Sequence, residues 1–152
     1  MDLGIRGRVA LITGASAGLG LAAARALAGE GAEIAIAARR PEKLRTAAET
    51  ICAATGAEVL ALTADVTDRN EAARLVKEVA SRLGPIEILV ANAAGPRPGA
   101  FRDLEWDDWT EAFARIVGPL HHLVTAVLPA MREACWGRIV SIQSVSIRQP
   151  VD

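Results

Sequence analysis

Three glycines within one short segment are the clearest candidates for chemistry in this chain. The segment at 13–20 reads TGASAGLG; an apolar run at 8–12 precedes it, and an Ala- and Leu-rich run at 19–30 overlaps its end. Glycine has no Cβ, so its backbone can approach a bulky anion closely. The N–H groups at the start of a helix then face the negative charge. A strand, glycines and a helix in this order predict a dinucleotide-phosphate site, and a glycine-rich turn without a ligand is the alternative. The residues expected to contact the ligand are Gly14, Ser16, Ala17, Gly18, Leu19 and Gly20.

Two arginines stand where the second apolar run ends, about 20 residues past the glycines. Folds that select NAD place an acidic residue there, whereas here Ala38 is followed by Arg39 and Arg40. A guanidinium pairs with a ribose 2′-phosphate through charge-assisted bidentate hydrogen bonds. The pair predicts NADP(H) as the cofactor, with NAD as a further possibility. A solvated arginine pair ahead of a helix is the alternative.

The elements that must position these residues alternate along the chain. Predicted strands cover 8–13, 32–38, 57–63 and 86–91, and a fifth lies within 137–144; predicted helices cover 19–30, 41–55, 68–83 and 104–133. Asp68 and Glu71 form a capping-box pattern, and Pro119 and Pro129 predict kinks in the fourth helix. The alternation predicts a parallel sheet with helices on both faces. The fold class is therefore α/β, doubly wound and Rossmann-like, with strand order 3-2-1-4-5 and a crevice between strands 1 and 4.

Composition narrows the functional classes further. The 152 residues suit one dinucleotide-binding domain, 1–152, which we expect to be truncated after the fifth strand. The net charge of −1 gives no drive toward nucleic acid, and no apolar run approaches the ~20 residues of a membrane helix. Cys52 and Cys135 lie far apart and lack metal-ligand spacing. We expect reduced thiols in a cytoplasmic protein, and a disulfide is the alternative. His121 and His122 lack a third ligand at suitable spacing, which favours a polar surface or an interface over a metal site.

The glycine spacing, G-x-x-x-G-x-G beginning with Thr-Gly, resembles that of the short-chain dehydrogenase/reductase family, and of its 3-oxoacyl-ACP reductase-like members in particular. The resemblance covers essentially the whole chain. It implies an oxidoreductase that transfers a hydride between a nicotinamide cofactor and a small carbonyl or alcohol substrate. It also implies a homo-oligomer through the fourth helix and the part of the protein beyond Asp152. Trp106 and Trp109 share a face of that helix, so packing or a subunit contact is their expected role.

Further segments extend the resemblance to individual site residues. Asp65, followed by Val66, matches the position at which the family binds the adenine amine; from the residues alone, entry into a helix is the alternative. The segment LVANAAG at 89–95 resembles the family's Asn-Asn-Ala-Gly segment, which braces the central strands and touches the nicotinamide ribose. Its cofactor-binding candidates are Asn92, Ala93 and Ala94.

The segment at 137–146 resembles the fifth strand of the family. Its Ser144 matches the serine that hydrogen-bonds the substrate oxygen and stabilises charge there during hydride transfer. Ser141 and Ser146 are weaker candidates for the same role. Without the resemblance, a serine at the end of a strand is usually a turn residue.

Three departures from the family concern proton transfer. The chain contains no Tyr, and of its two lysines, Lys43 and Lys77, neither follows the fifth strand, so the family's Tyr-x-x-x-Lys pair would lie beyond Asp152. The family's relay Asn in the fourth helix is matched by Ile116, and no Asn follows Asn92. A dinucleotide-binding module without turnover, either a sensor or a structural protein, is therefore the alternative function.

We expect the 152-residue chain to reduce no carbonyl compound measurably with NADPH, because it holds no Tyr to act as the proton donor. General acid catalysis contributes roughly 10²–10⁴ in rate. The check is loss of NADPH fluorescence with a panel of ketones, on wild type and Ser144→Ala. Robust turnover that Ser144→Ala abolishes would contradict the prediction.

Overall fold

Five parallel strands form one sheet in the order β3-β2-β1-β4-β5, as the sequence predicts. The computed structural model describes residues 3–93, 95, 97 and 99–144. The strands are β1 (Val9–Thr13), β2 (Glu33–Ala38), β3 (Val59–Thr63), β4 (Ile88–Ala91) and β5 (Arg138–Ser141). The helices are α1 (Gly18–Gly29), α2 (Pro41–Thr55), α3 (Arg69–Leu83) and α4 (Trp106–Glu133), with a short 3₁₀ helix at Phe101–Asp103.

The central strands β1, β2 and β4 are largely buried because helices cover both faces of the sheet. All five residues of β1 are buried, as expected for a central parallel strand with an uninterrupted apolar sequence. Successive side chains point to opposite faces. Leu11 therefore joins the core beneath α3 and α4, where it packs with Leu75 and Leu123. Ile12 joins the core beneath α1 and α2, which includes Leu44 and Ile51.

The entry to α3 corrects one detail of the predicted capping box. Asp68 is the N-cap, and its Oδ1 accepts hydrogen bonds from the N–H groups of Asn70 (2.7 Å) and Glu71 (3.0 Å). The Glu71 carboxylate, however, accepts from the N–H of Asp65 at 2.8 Å and not from Asp68. This bond ties the loop after β3 to α3, so the cap also positions Asp65.

The helix α4 begins two residues later than predicted, because Glu105 and Asp108 form a capping box at its start. From there it continues through Pro119 and Pro129 to Glu133, and the predicted kinks stay predictions. Over the part of the chain that the structure describes, no helix combines the length and apolarity needed to cross a membrane. Both cysteines are exposed and form no disulfide there.

Candidate dinucleotide site

Two adjoining cavities lie at the carboxyl end of the sheet, where the crevice between β1 and β4 is predicted. The first measures about 630 Å³ and the second about 410 Å³. Thr13, Asn92 and Ala93 line both, so the cavities meet at the ends of β1 and β4. The other predicted site residues that line the first cavity are Gly14, Ser16, Arg39, Arg40, Asp65 and Val66. Those that line only the second are Leu19 and Ser144.

The glycines act through packing and backbone conformation. A Cβ on Gly14 would lie 2.7 Å from the carbonyl oxygen of Asn92, and one on Gly20 would lie 2.5 Å from that of Gly14. Both are too close for any side chain. Gly18 has a φ of +58°, which favours glycine, yet open space surrounds its Cβ position. Ala17, Gly18 and Gly20 line neither cavity but form the turn into α1, and their predicted contact with a cofactor stays a prediction.

The amino terminus of α1 has the electrostatic character of an anion site. Its N-cap is Ala17, which makes no side-chain capping bond, and the first turn carries no acidic residue. By contrast, Asp68 caps α3, a capping box begins α4, and α2, whose N-cap also makes no side-chain bond, carries Glu42 in its first turn. The first N–H groups of an α-helix need an acceptor, and the helix dipole favours a negative one. The turn therefore fits a pyrophosphate, which supplies both acceptor and charge.

A pair of reciprocal hydrogen bonds joins β1 to the segment after β4. The hydroxyl of Thr13 donates to the carbonyl oxygen of Asn92 and accepts from its N–H, each at 3.0 Å. The side-chain amide of Asn92 also donates to the Gly14 carbonyl at 3.2 Å. Asn92 thus braces the central strands, as its resemblance to the family segment implies. Sequence reasoning missed Thr13; its position directly before the first glycine was the available signal.

Arg39 and Arg40 lie at the end of β2, where the sequence places them. Both are exposed and line the first cavity, and Ala38 brings no carboxylate to this wall. The donor set of two guanidiniums beside an alanine fits a phosphate ester better than an unmodified ribose hydroxyl. The cofactor-selecting residues and the uncapped α1 thus border one crevice.

Asp65 is an ionised acceptor in the wall of the first cavity. Its Oδ1 accepts hydrogen bonds from the Thr67 N–H (3.0 Å) and the Thr67 hydroxyl (2.7 Å). Burial alone would raise the pKa of Asp65, but the bonds from Thr67 and the positive charges of Arg39 and Arg115 hold it below its usual value. The alternative role, entry into α3, also fits, because Asp65 accepts from Thr67 and its N–H donates to Glu71 in the first turn of α3.

The second cavity holds the candidate catalytic serine. Ser144 and Ser141 line it together with Gln143, whose side-chain amide donates to the Ser141 hydroxyl at 2.5 Å. Ile116 on α4 lines the same cavity. An apolar side chain therefore stands at the position that matches the family's relay Asn. Ala94 and Ser146 lie outside the described residues.

Sequence reasoning also missed Thr67, Gln143 and Arg115. Arg115, on α4, lines the first cavity, although the sequence drew attention only to its neighbour Ile116. Nearby, His122 places its Nδ1 3.4 Å from the Val66 carbonyl and is half-buried. Within the described ranges, no cluster of three or more His, Cys, Asp or Glu residues could hold a metal ion.

Comparisons with known proteins agree with this geometry. Residues 8–152 match the sequence profile of a family described as short chain dehydrogenase. D-beta-hydroxybutyrate dehydrogenase of Rhizobium meliloti is 33% identical over 138 residues, which cover 90% of this chain and 54% of that protein.

Two solved structures are similar along nearly the whole chain. A variant of actinorhodin polyketide ketoreductase with NADPH has a TM-score of 0.88 at 38% identity, covering 95% of this chain and 56% of that one. L-sorbose reductase from Gluconobacter frateurii, complexed with NADPH and L-sorbose, has a TM-score of 0.92 at 34% identity, covering 99% and 57%. The chain thus spans about half the length of these proteins, and 11% of one much longer curated relative.

Replacing Thr13 by Val should lower the free energy of unfolding by about 1–3 kcal/mol, because the backbone N–H and carbonyl of Asn92 would lose their partner. Thr13 is only 1% exposed, so water cannot replace the hydroxyl without rearrangement. Urea denaturation measures the change. Thr13→Ser is the matched control and should retain most of the stability, since it loses one methyl group. Equal losses in both variants would show that the methyl group matters and not the hydrogen bonds.

Proposed function

We propose, from the premise that this chain belongs to the short-chain dehydrogenase family, that the whole protein is an NADP(H)-dependent oxidoreductase acting on a carbonyl or alcohol. The observation that carries the proposal is the pair Arg39 and Arg40 on the wall of the first cavity, beside Ala38. Because the chain spans about half the length of its relatives, the reaction belongs to the whole protein, and this chain supplies the cofactor-binding part.

Each part of the cofactor has candidate partners in the crevice. Arg39, together with Arg40, would bind the 2′-phosphate, and Asp65 with Val66 would bind the adenine. The glycine turn and the uncapped start of α1 would bind the pyrophosphate. Asn92 and Ala93 line both cavities, so they would hold the nicotinamide half where the cavities meet. When bound, this cofactor supplies or accepts the hydride.

On the substrate side, Ser144 is the candidate for binding the reacting oxygen. A hydroxyl donor stabilises negative charge that develops on such an oxygen. The proton donor that the family uses is a Tyr, and this chain contains none. We therefore assign cofactor binding to these residues and the complete proton transfer to the whole protein.

A second candidate function rests on Ile116. It lines the second cavity at the position of the family's relay Asn and brings no hydrogen-bonding group there. A dinucleotide-binding sensor or structural protein would tolerate this substitution, whereas a proton relay would not. A Tyr-x-x-x-Lys sequence in the whole protein would favour the oxidoreductase, and its absence would favour the sensor.

We propose two kinds of partner: a small-molecule carbonyl or alcohol, and further copies of the chain. We also propose a cytoplasmic location, with no nucleic-acid or membrane partner. An exposed apolar stripe on α4 supports self-association. It consists of Trp106, Trp109, Phe113 and Val117, which are 40–80% exposed. The Phe101 ring packs against Trp109 in a tilted arrangement, with ring centroids 5.9 Å apart. Exposed aromatic patches of this kind mark protein contacts.

Replacing Arg39 by Ala should weaken NADPH binding roughly ten- to a hundredfold, because one charge-assisted bond to the phosphate is lost. NADH binding should barely change, since NADH has no 2′-phosphate. Ala38→Asp should reverse the preference by repelling the phosphate and accepting the ribose hydroxyl. Fluorescence titration of both cofactors measures this, with Arg25→Ala as the charge-matched control on the exposed face of α1. Equal loss of both cofactors in Arg39→Ala would make Arg39 structural.

Replacing Phe113 by Ser should shift the chain toward monomer in sedimentation velocity, because it removes an exposed ring from the centre of the α4 stripe. Leu3→Ser changes an exposed apolar residue that lies on neither α4 nor the edge strand β5; it is the control and should leave the association state unchanged. A wild-type chain that stays monomeric at high concentration would contradict association through α4.

A further inference from the structure

We propose that Arg115 is an additional cofactor-positioning residue, which covers the adenine ring in the first cavity from the α4 side. This inference rests on the proposed function, because it requires that the first cavity bind the adenosine half of a dinucleotide. It concerns α4, whereas Arg39 and Arg40 follow β2. The assignment follows from three properties of Arg115: its position, its tether and its charge.

Arg115 and Arg132 are the two arginines of α4, and of these Arg115 lines the first cavity. The described residues that line the first cavity come almost entirely from the ends of β1–β4 and the loops that follow, and Arg115 is the contribution of α4. Asp65, Val66 and Thr67 line the same cavity. The family segment that Asp65 resembles binds the adenine amine, so Arg115 borders the space proposed for that base.

A salt bridge joins the guanidinium to the preceding turn of α4. The Nη1 of Arg115 donates to the Glu111 carboxylate, one helical turn earlier, at 2.8 Å. The Arg115 side chain is 37% exposed, whereas that of Glu111 is 62% exposed, so the pair stands at the rim of the cavity. The bond uses one edge of the guanidinium, and stacking on a base uses its face. The two contacts are therefore compatible.

The charge of Arg115 acts on Asp65, which lines the same cavity. Together with Arg39, it favours the ionised form of Asp65 and contributes to the lowered pKa of that carboxyl. A planar cation above an aromatic base adds a cation–π attraction, and arginine stacks on flat rings more readily than lysine. Asp65 would thus accept from the edge of the adenine while Arg115 covers its face.

A purely structural role is the competing explanation, because intrahelical Arg–Glu pairs also occur where there is no cavity. Arg45 and Glu49 form such a pair on α2, and the two side chains are 64% and 60% exposed. Exposed pairs of this kind contribute little to stability. Arg45 lines neither the first nor the second cavity, and Arg115 does, which is why the inference concerns Arg115 alone.

The test is fluorescence titration of the wild-type chain and Arg115→Ala with three probes: NADPH, NADH and reduced nicotinamide mononucleotide. We expect Arg115→Ala to weaken NADPH and NADH by the same factor, roughly three- to thirtyfold. Binding of the mononucleotide, which has no adenine, should not change. Arg115→Lys keeps the charge without the plane and should lose less than Arg115→Ala. Arg132→Ala, which removes an exposed arginine elsewhere on α4, is the matched control and should bind all three probes like wild type.

The outcomes separate this inference from the proposed function. If Arg115→Ala weakens NADPH alone, Arg115 reads the 2′-phosphate and the adenine assignment is wrong. If it weakens the mononucleotide as well, the residue is structural and the inference is overturned. If binding of NADPH and NADH is unchanged while Arg39→Ala still loses NADPH, the inference fails and the proposed function stands. If the wild-type chain binds neither dinucleotide, the proposed function fails and the inference with it.

Discussion

The close approach of β1 and β4 at their carboxyl ends is the constraint on which the site depends. Two reciprocal bonds between the Thr13 hydroxyl and the Asn92 backbone fix that approach, across 79 positions of sequence. The approach leaves no room for a Cβ on Gly14. Gly14 in turn sets the space for Gly20, whose own Cβ would collide with the Gly14 carbonyl. One contact between two strands thus determines where the turn runs and how α1 begins.

The charged and polar groups of the crevice differ from one part to the next, and each set suits a different part of a dinucleotide. The amino terminus of α1 has no carboxylate cap, whereas α3 and α4 are capped by Asp68 and Glu105. Positive charge lies at the end of β2, and the Asp65 carboxylate, whose ionised form is favoured by Thr67, lines the same cavity. Each of these features suits one part of a nucleotide. Their common position follows from the topology, because parallel strands present all their carboxyl ends at one edge.

The sequence predicted the fold well, because the fold depends on local patterns. The bounds of α2 agree at both ends, and the strand order is confirmed. The predictions were wrong where a side chain has more than one nearby partner. Glu71 accepts a hydrogen bond from Asp65 and not from Asp68. The capping box of Glu105 and Asp108 makes α4 begin two residues later than predicted. Thr13 and Arg115 were missed as site residues for a similar reason. Their roles depend on which groups lie opposite them in space, and residue spacing along the chain carries no record of that.

Calorimetric titration of the chain with adenosine 2′,5′-bisphosphate and with 5′-AMP tests the central claim most directly, that this crevice recognises a phosphorylated adenosine. The two ligands differ only in the 2′-phosphate. The account predicts roughly ten- to a hundredfold tighter binding of the bisphosphate, with a preference that falls as salt is added. Equal affinity for both ligands, or no binding of either, would contradict it.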